Sequence, residues 1–172
     1  MAFDVNNLMT TIASVINKNN TITSSYNLKS SLSSNPIQAV YKTYAESTPI
    51  AKTMYPVIFI EMMNKQEEFE RLSRSAYRRI TCQVDLVVVT DYGMSGAPDA
   101  GRGREIGDKE LFQLASNVEK LFRNYVTLST TALGVPNAEM VTITNTDYNV
   151  RFSNDTWNSV ARISLEIMTH DN

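Results

Sequence analysis

Residues 78–92, Arg-Arg-Ile-Thr-Cys-Gln-Val-Asp-Leu-Val-Val-Val-Thr-Asp-Tyr, constrain the fold more than any other stretch. Ile80, Cys82, Val84, Leu86 and Val88 recur at a period of two, opposite Arg79, Thr81, Gln83 and Asp85. That is the pattern of a long strand half-buried in a sheet. Val87 and Val89 make its second half apolar on both faces, so this end needs cover twice, by a helix on one side and by another layer or subunit on the other.

Partner strands follow from the same patterns. Tyr55-Pro56-Val57-Ile58-Phe59-Ile60-Glu61-Met62 has a proline at its entry and then β-branched and aromatic residues in a row, a second strand. Residues 140–144 and 149–152 read as one strand whose middle, Asn145-Thr146-Asp147, breaks the alternation as a bulge would. Ser153-Asn154-Asp155 is a hairpin turn, and residues 157–168 form the last strand. It turns Trp157, Ala161, Ile163, Leu165 and Ile167 inward against Asn158, Arg162, Ser164 and Glu166. Residues 37–45 are a weaker strand candidate. Residues 64–74 alternate acids and bases at spacings of three and four, which suits a short solvated helical turn or a twisted hairpin tip.

Two helices are expected. Val5, Leu8, Met9, Ile12, Val15 and Ile16 repeat at three and four, with Asp4 placed to cap the start and residues 17–20 to end it. Leu111, Leu114, Ala115, Val118, Leu121, Phe122 and Tyr125 form a broad apolar stripe, with Asp108 as the expected cap. Residues 21–35 are mostly Ser, Thr and Asn and read as a polar arm or long loop. Residues 93–107 hold Gly93, Gly96, Gly101, Gly103 and Gly107, five of the chain's six glycines, and read as a flexible loop carrying Arg102 and Arg104. These two arginines are the candidate assembly contacts, toward acidic groups or DNA phosphates. The glycine spacing fits neither a dinucleotide fingerprint nor a phosphate loop.

The 172 residues form one expected α+β domain: a mixed or largely antiparallel sheet, an amphipathic helix on one face, and an N-terminal helix. A net charge of −2 argues against nucleic-acid binding by bulk charge. The N-terminus lacks a cationic segment followed by an apolar run, so the chain is expected to be made and kept in cytosol. Cys82 is the only cysteine and sits on the apolar strand face, where a buried inert thiol is expected. His170, the only histidine, is the third residue from the C-terminal end. No catalytic residue, metal site or cofactor site is expected: a zinc cluster lacks ligands and a nucleophile lacks a base.

The element order is helix, polar arm, strand pair, Gly-rich loop, helix, strand pair. With Tyr55-Pro56-Val57-Ile58-Phe59-Ile60 and Arg79-Ile80-Thr81-Cys82-Gln83-Val84-Asp85-Leu86-Val87-Val88-Val89 in place, it resembles the tail terminator and head-to-tail joining (tail completion) proteins of long-tailed bacteriophages. The resemblance is one of pattern over most of the chain, without a diagnostic motif. It implies a structural virion protein that assembles in the host cytoplasm as a homo-oligomeric ring, commonly a hexamer. Such a ring caps the tail tube, stops its polymerisation and offers a surface to the neck. The implied partners are the tail tube protein and a neck or connector protein, with the tail sheath as a further neighbour to consider. DNA would pass through the channel without sequence-specific binding, and no membrane is involved. A neck or head-completion adaptor is the alternative within this class. A host small-ligand-binding α+β module is the distant one.

Overall fold

The computed structural model describes residues 3–20, 37–45, 55–72, 75–91, 100–124, 138–153 and 156–171. In chain order these give α1 (Val5–Asn19), β1 (Ala39–Tyr41), β2 (Val57–Leu72), β3 (Ser75–Asp91), α2 (Ala100–Asn124), β4 (Ala138–Ser153) and β5 (Thr156–Asp171). The strands make one five-stranded sheet in the order β1-β2-β3-β5-β4. The β1–β2 pair is parallel and every other pair antiparallel, so the fold is the expected α+β arrangement with a mixed sheet and an N-terminal helix.

β3 lies at the centre because its alternation demands it. Ile80, Cys82, Val84, Leu86 and Val88 are all buried against the helices, together with Ile58 and Ile60 of β2 and Ala161, Ile163, Leu165 and Ile167 of β5. α1 covers β1 and β2 with Leu8, Ile12, Val15 and Ile16, while α2 covers β3, β4 and β5 with Leu111, Leu114, Val118, Leu121 and Phe122. Each fully buried Leu or Ile contributes about 1.5–3 kcal/mol relative to exposure. The opposite face has a smaller apolar cluster of Val57, Phe59, Val87 and Val89, covered by Ala45 and partly by Tyr41 and Tyr55. Tyr41 stacks on Phe59 with ring centroids 5.4 Å apart. The second half of β3 is thus buried on both faces, but its second cover is Ala45 and flanking side chains of this chain, not a further layer or subunit.

α1 starts where the sequence places it: the Asp4 carboxylate accepts the Asn6 N–H at 2.8 Å, satisfying one of the helix's unpaired donors. At its other end the Asn20 side chain donates to the Ile37 carbonyl at 2.8 Å and accepts the Ile37 N–H at 3.0 Å. Asn20 thereby imitates a strand partner for Ile37. The expected polar arm at 21–35 lies outside the described residues.

Three expectations are corrected. Residues 37–45 hold a strand only at Ala39–Tyr41, parallel to the start of β2. For residues 64–74 the helical turn is corrected and the hairpin alternative holds: residues 64–72 continue β2, paired antiparallel with β3 as far as Leu72 opposite Ser75. A bulge between Met62 and Asn64 shifts the register by one residue, so the inward face passes from even to odd numbers and conceals the alternation. Lys65 then lies opposite Cys82, Glu67 opposite Ile80 and Phe69 opposite Arg78.

The third correction concerns the Gly-rich loop at 93–107. Its second half, from Ala100, is already helical, and α2 runs eight residues ahead of Asp108; residues 92–99 lie outside the described set. A helix once nucleated adds a hydrogen bond for each residue fixed, which offsets the roughly 1 kcal/mol cost of each glycine. Asp108 is consequently no cap. Its carboxylate accepts the Ser159 hydroxyl at 2.7 Å and ties α2 to β5.

Candidate functional site

Two features of the sheet stand out. The first is an ion cluster on the face away from the helices. Glu61 and Asp85 are directly opposite in β2 and β3, only 3% and 6% exposed. Arg162 of β5 reaches across, its Nη1 donating to Asp85 Oδ2 at 2.7 Å and to Glu61 Oε2 at 3.0 Å. The other Glu61 oxygen accepts the Ala45 N–H at 2.7 Å. Burial works against the guanidinium charge, but the hydrogen bond to Asp85 and the charges of Glu61 and Asp85 outweigh it, so the Arg162 pKa is raised above the ordinary arginine value. The cluster cross-links three adjacent strands and fixes the chain beyond β1 onto the sheet.

The second feature is the pair of lateral edges. Beyond Phe59, β2 has no strand partner on its outer side among the described residues, and β4 has none along its whole length. At about 3.3 Å per residue, a 16-residue strand is about 53 Å long. The β2 edge is blunted by its bulge, by the Tyr44 hydroxyl donating to the Met62 carbonyl at 3.0 Å, and by charged residues. One inward group links Lys65, Glu67 and Arg78, with Lys65 over the Phe3 ring and Arg78 over the Phe69 ring. The Lys65 hydrogen bond comes first among the causes that hold the Glu67 carboxyl below its ordinary pKa. β4 carries two register shifts, one at Ala138/Met140 and one at Ile143/Asn145, the second next to the stretch where the broken alternation places a bulge.

Large apolar side chains that remain exposed collect at these edges. Among the described residues they are Tyr44, Met63, Phe69, Phe112, Met140 and Tyr148, between 39% and 76% exposed. Tyr44, Met63 and Phe69 lie on the β1–β2 side; Phe112 and Tyr148 lie on the β4–α2 side, and Met140, opposite Met168, is on β4 but on the sheet face away from α2. Phe112 and Tyr148 meet edge to face with centroids 5.0 Å apart. Beside them Thr146 donates its hydroxyl to Glu119 at 2.7 Å and holds β4 to α2.

Arg102 and Arg104, the arginines singled out in the sequence, lie in the first two turns of α2 rather than on a loop. Positions two apart on a helix are about 200° apart around its axis, so the two positions do not share one side. Sequence reasoning missed the Glu61–Asp85–Arg162 cluster. Its signal is an acid on each of two strands in otherwise apolar runs, with one arginine on a third. Cys82 is fully buried, and burial pushes its thiol pKa up to about 11, as an inert thiol requires. Among the described residues no group of three or more His, Cys, Asp or Glu could hold a metal ion. No described helix is long and apolar enough to cross a membrane. No known protein family and no curated protein matches the chain in sequence.

Proposed function

We propose that this chain is a structural subunit of a long-tailed bacteriophage, a tail terminator whose ring caps the tail tube, stops its polymerisation and joins the tail to the neck. The observation that carries the proposal is the placement of exposed apolar residues at both lateral edges of the sheet. A subunit in a closed assembly has to bury two different surfaces against neighbours, and exposed apolar groups collected at two sites mark such surfaces better than scattered ones do. The order of elements around β3, in which two antiparallel strand pairs are joined through α2, supports the choice of family. Its partners are copies of itself, the tail tube protein below and a neck or connector protein above.

The test is a phage lacking this chain. Filled heads and unjoined tails of irregular length are the expected products, and purified protein added to such lysates should restore joining. Tails of normal length on filled but unjoined heads would assign the chain to the neck instead. Normal particles would remove it from tail assembly altogether.

A further inference from the structure

The geometry points to a two-fold pair of this chain, in which residues 145–153 of β4 lie antiparallel against the same residues of a second copy and join two five-stranded sheets into one. Such a pair closes at two copies, so it is a different association from a ring. It stands whether or not the chain caps a tail tube.

The edge is built to accept a strand. Residues 145–153 pair one to one with β5, bounded by the register shift at Ile143/Asn145 and by the end of β4 at Ser153. The devices that blunt the β2 edge are missing, since this stretch holds no register shift and neither lysine nor proline. Its positions on the helix side, 146, 148, 150 and 152, are Thr, Tyr, Val and Phe, without a charge. Asn145, Asp147, Tyr148 and Asn149 are exposed, so the edge is open to water there. Alternate residues aim both N–H and C=O outward, about eight groups that an extended backbone matches in series.

Charge selects a second copy as that strand. Directly opposite residues of a ladder share a face, so the two-fold axis passes through a residue, and Asn149 is the centre of the regular stretch. This register sets Asp147 opposite position 151 of the other copy, an arginine on the same face of the sheet, and does so twice. Within one strand these positions are about 13 Å apart, too far to pair. The Asp147 carboxylate accepts the Asn145 amide at 2.7 Å, while Arg162, opposite Asp147 on β5, is turned to Glu61 and Asp85. A copy running the other way brings a cation to this exposed acid.

Apolar cover follows from the same register. Tyr148 comes to lie opposite position 150, a valine, and Thr146 opposite position 152, a phenylalanine. Tyr148 is one row from the axis, so its ring and that of Phe112, now half exposed beside it, meet their symmetry mates across the axis. α2 lies over β5 and its neighbours, and the two β5 strands are three strand spacings apart, about 14 Å. Directly packed helices need about 8–10 Å, and the four rings fill the difference.

The full chain tests the pair by sedimentation, charge exchange and cross-linking. Wild type is expected to be a dimer. Asp147→Arg and Arg151→Asp should each weaken it about thirtyfold, because two pairs turn from attraction to repulsion, and the double variant carrying both should restore it. Asn149→Cys should link two copies on air oxidation, since its Cα atoms would lie about 4.5–5.5 Å apart; Thr142→Cys, beyond the paired stretch, should not, and Cys82 is buried. Residues 142, 147 and 149 are exposed, so circular dichroism should report a native fold, and Arg151→Gln serves if Arg151→Asp does not fold. A monomeric wild type, a single reversal that dimerises like wild type, a double variant that stays apart, or equal linking at 142 and 149 overturns the pair. A larger oligomer without the link at 149 removes the pair and leaves a ring. A linked dimer from a chain that caps no tube keeps the pair and removes the proposed function.

Discussion

Glu61 and Asp85 face one another across the β2–β3 ladder, almost wholly buried, and one guanidinium nitrogen of Arg162 serves both. Two carboxylates on one arginine are stable only while the arginine stays, because removing it leaves buried like charges side by side. Arg162→Ala should therefore cost roughly 3 kcal/mol, the low end of the range for broken buried pairs, since the Arg162 side chain is 35% exposed. Urea unfolding measures this directly. A loss below about 1 kcal/mol, as surface pairs give, would show that solvent already screens the cluster.

The Asn20 side chain replaces a strand partner for Ile37 with two hydrogen bonds. At about 1 kcal/mol each, Asn20→Ala should lower stability by about 2 kcal/mol. Asn20→Asp keeps the acceptor for the Ile37 N–H but turns a carboxylate oxygen toward the Ile37 carbonyl, two acceptors face to face, so a loss at least as large as for Ala is expected. Thermal unfolding of the three proteins should rank them wild type, Ala, Asp. Equal melting temperatures for Ala and wild type would mean that water replaces the amide without loss.

The Lys65–Glu67–Arg78 group yields a pH prediction. The Glu67 carboxyl has its pKa lowered in the folded chain, chiefly by the Lys65 hydrogen bond. A depressed folded value means stability that is present above the unfolded pKa and lost as pH falls through the folded one. Carboxyl-carbon NMR titration should place the Glu67 midpoint below that of an ordinary glutamate, and Lys65→Met should move it up. An unmoved midpoint would transfer the effect to Arg78, whose guanidinium lies 3.4 Å from the other Glu67 oxygen.

Much of this fold was legible because its core strands obey one period at a time. Ile80 to Leu86 on β3 and Ala161 to Ile167 on β5 keep strict alternation, and both are buried as that alternation requires. α1 and the apolar stripe of α2 follow in the same way. What misled the reading were places where two physical effects compete. At Met63 a bulge reverses the inward face, so the spacing of Lys65, Glu67 and Phe69 suits a helical turn as well as the hairpin that they form. The cluster of Glu61, Asp85 and Arg162 depends on three strands meeting in the order β2-β3-β5, a long-range fact that no local spacing encodes. The edge residues were invisible for the same reason: an apolar residue becomes informative only once the sheet leaves it uncovered.

The start of α2 is the sharpest such conflict, and it can be settled by substitution. Gly101, Gly103 and Gly107 argue locally for a loop, while the structure places all three in a continuous helix from Ala100. Glycine in a helix interior costs about 1 kcal/mol relative to alanine, because the unfolded chain loses more freedom there. If the chain in solution is helical from Ala100, Gly103→Ala and Gly107→Ala should each raise stability by up to about 1 kcal/mol, and the double variant by nearly the sum. If residues 100–107 were an open loop in solution, the same substitutions would change little, or would lower stability at any position needing a positive φ. Helical carbon chemical shifts at residues 100–107 of the isolated wild-type chain should agree with the stability gain. Random-coil shifts there, with no gain from either alanine, would return this segment to the loop that its glycines suggest.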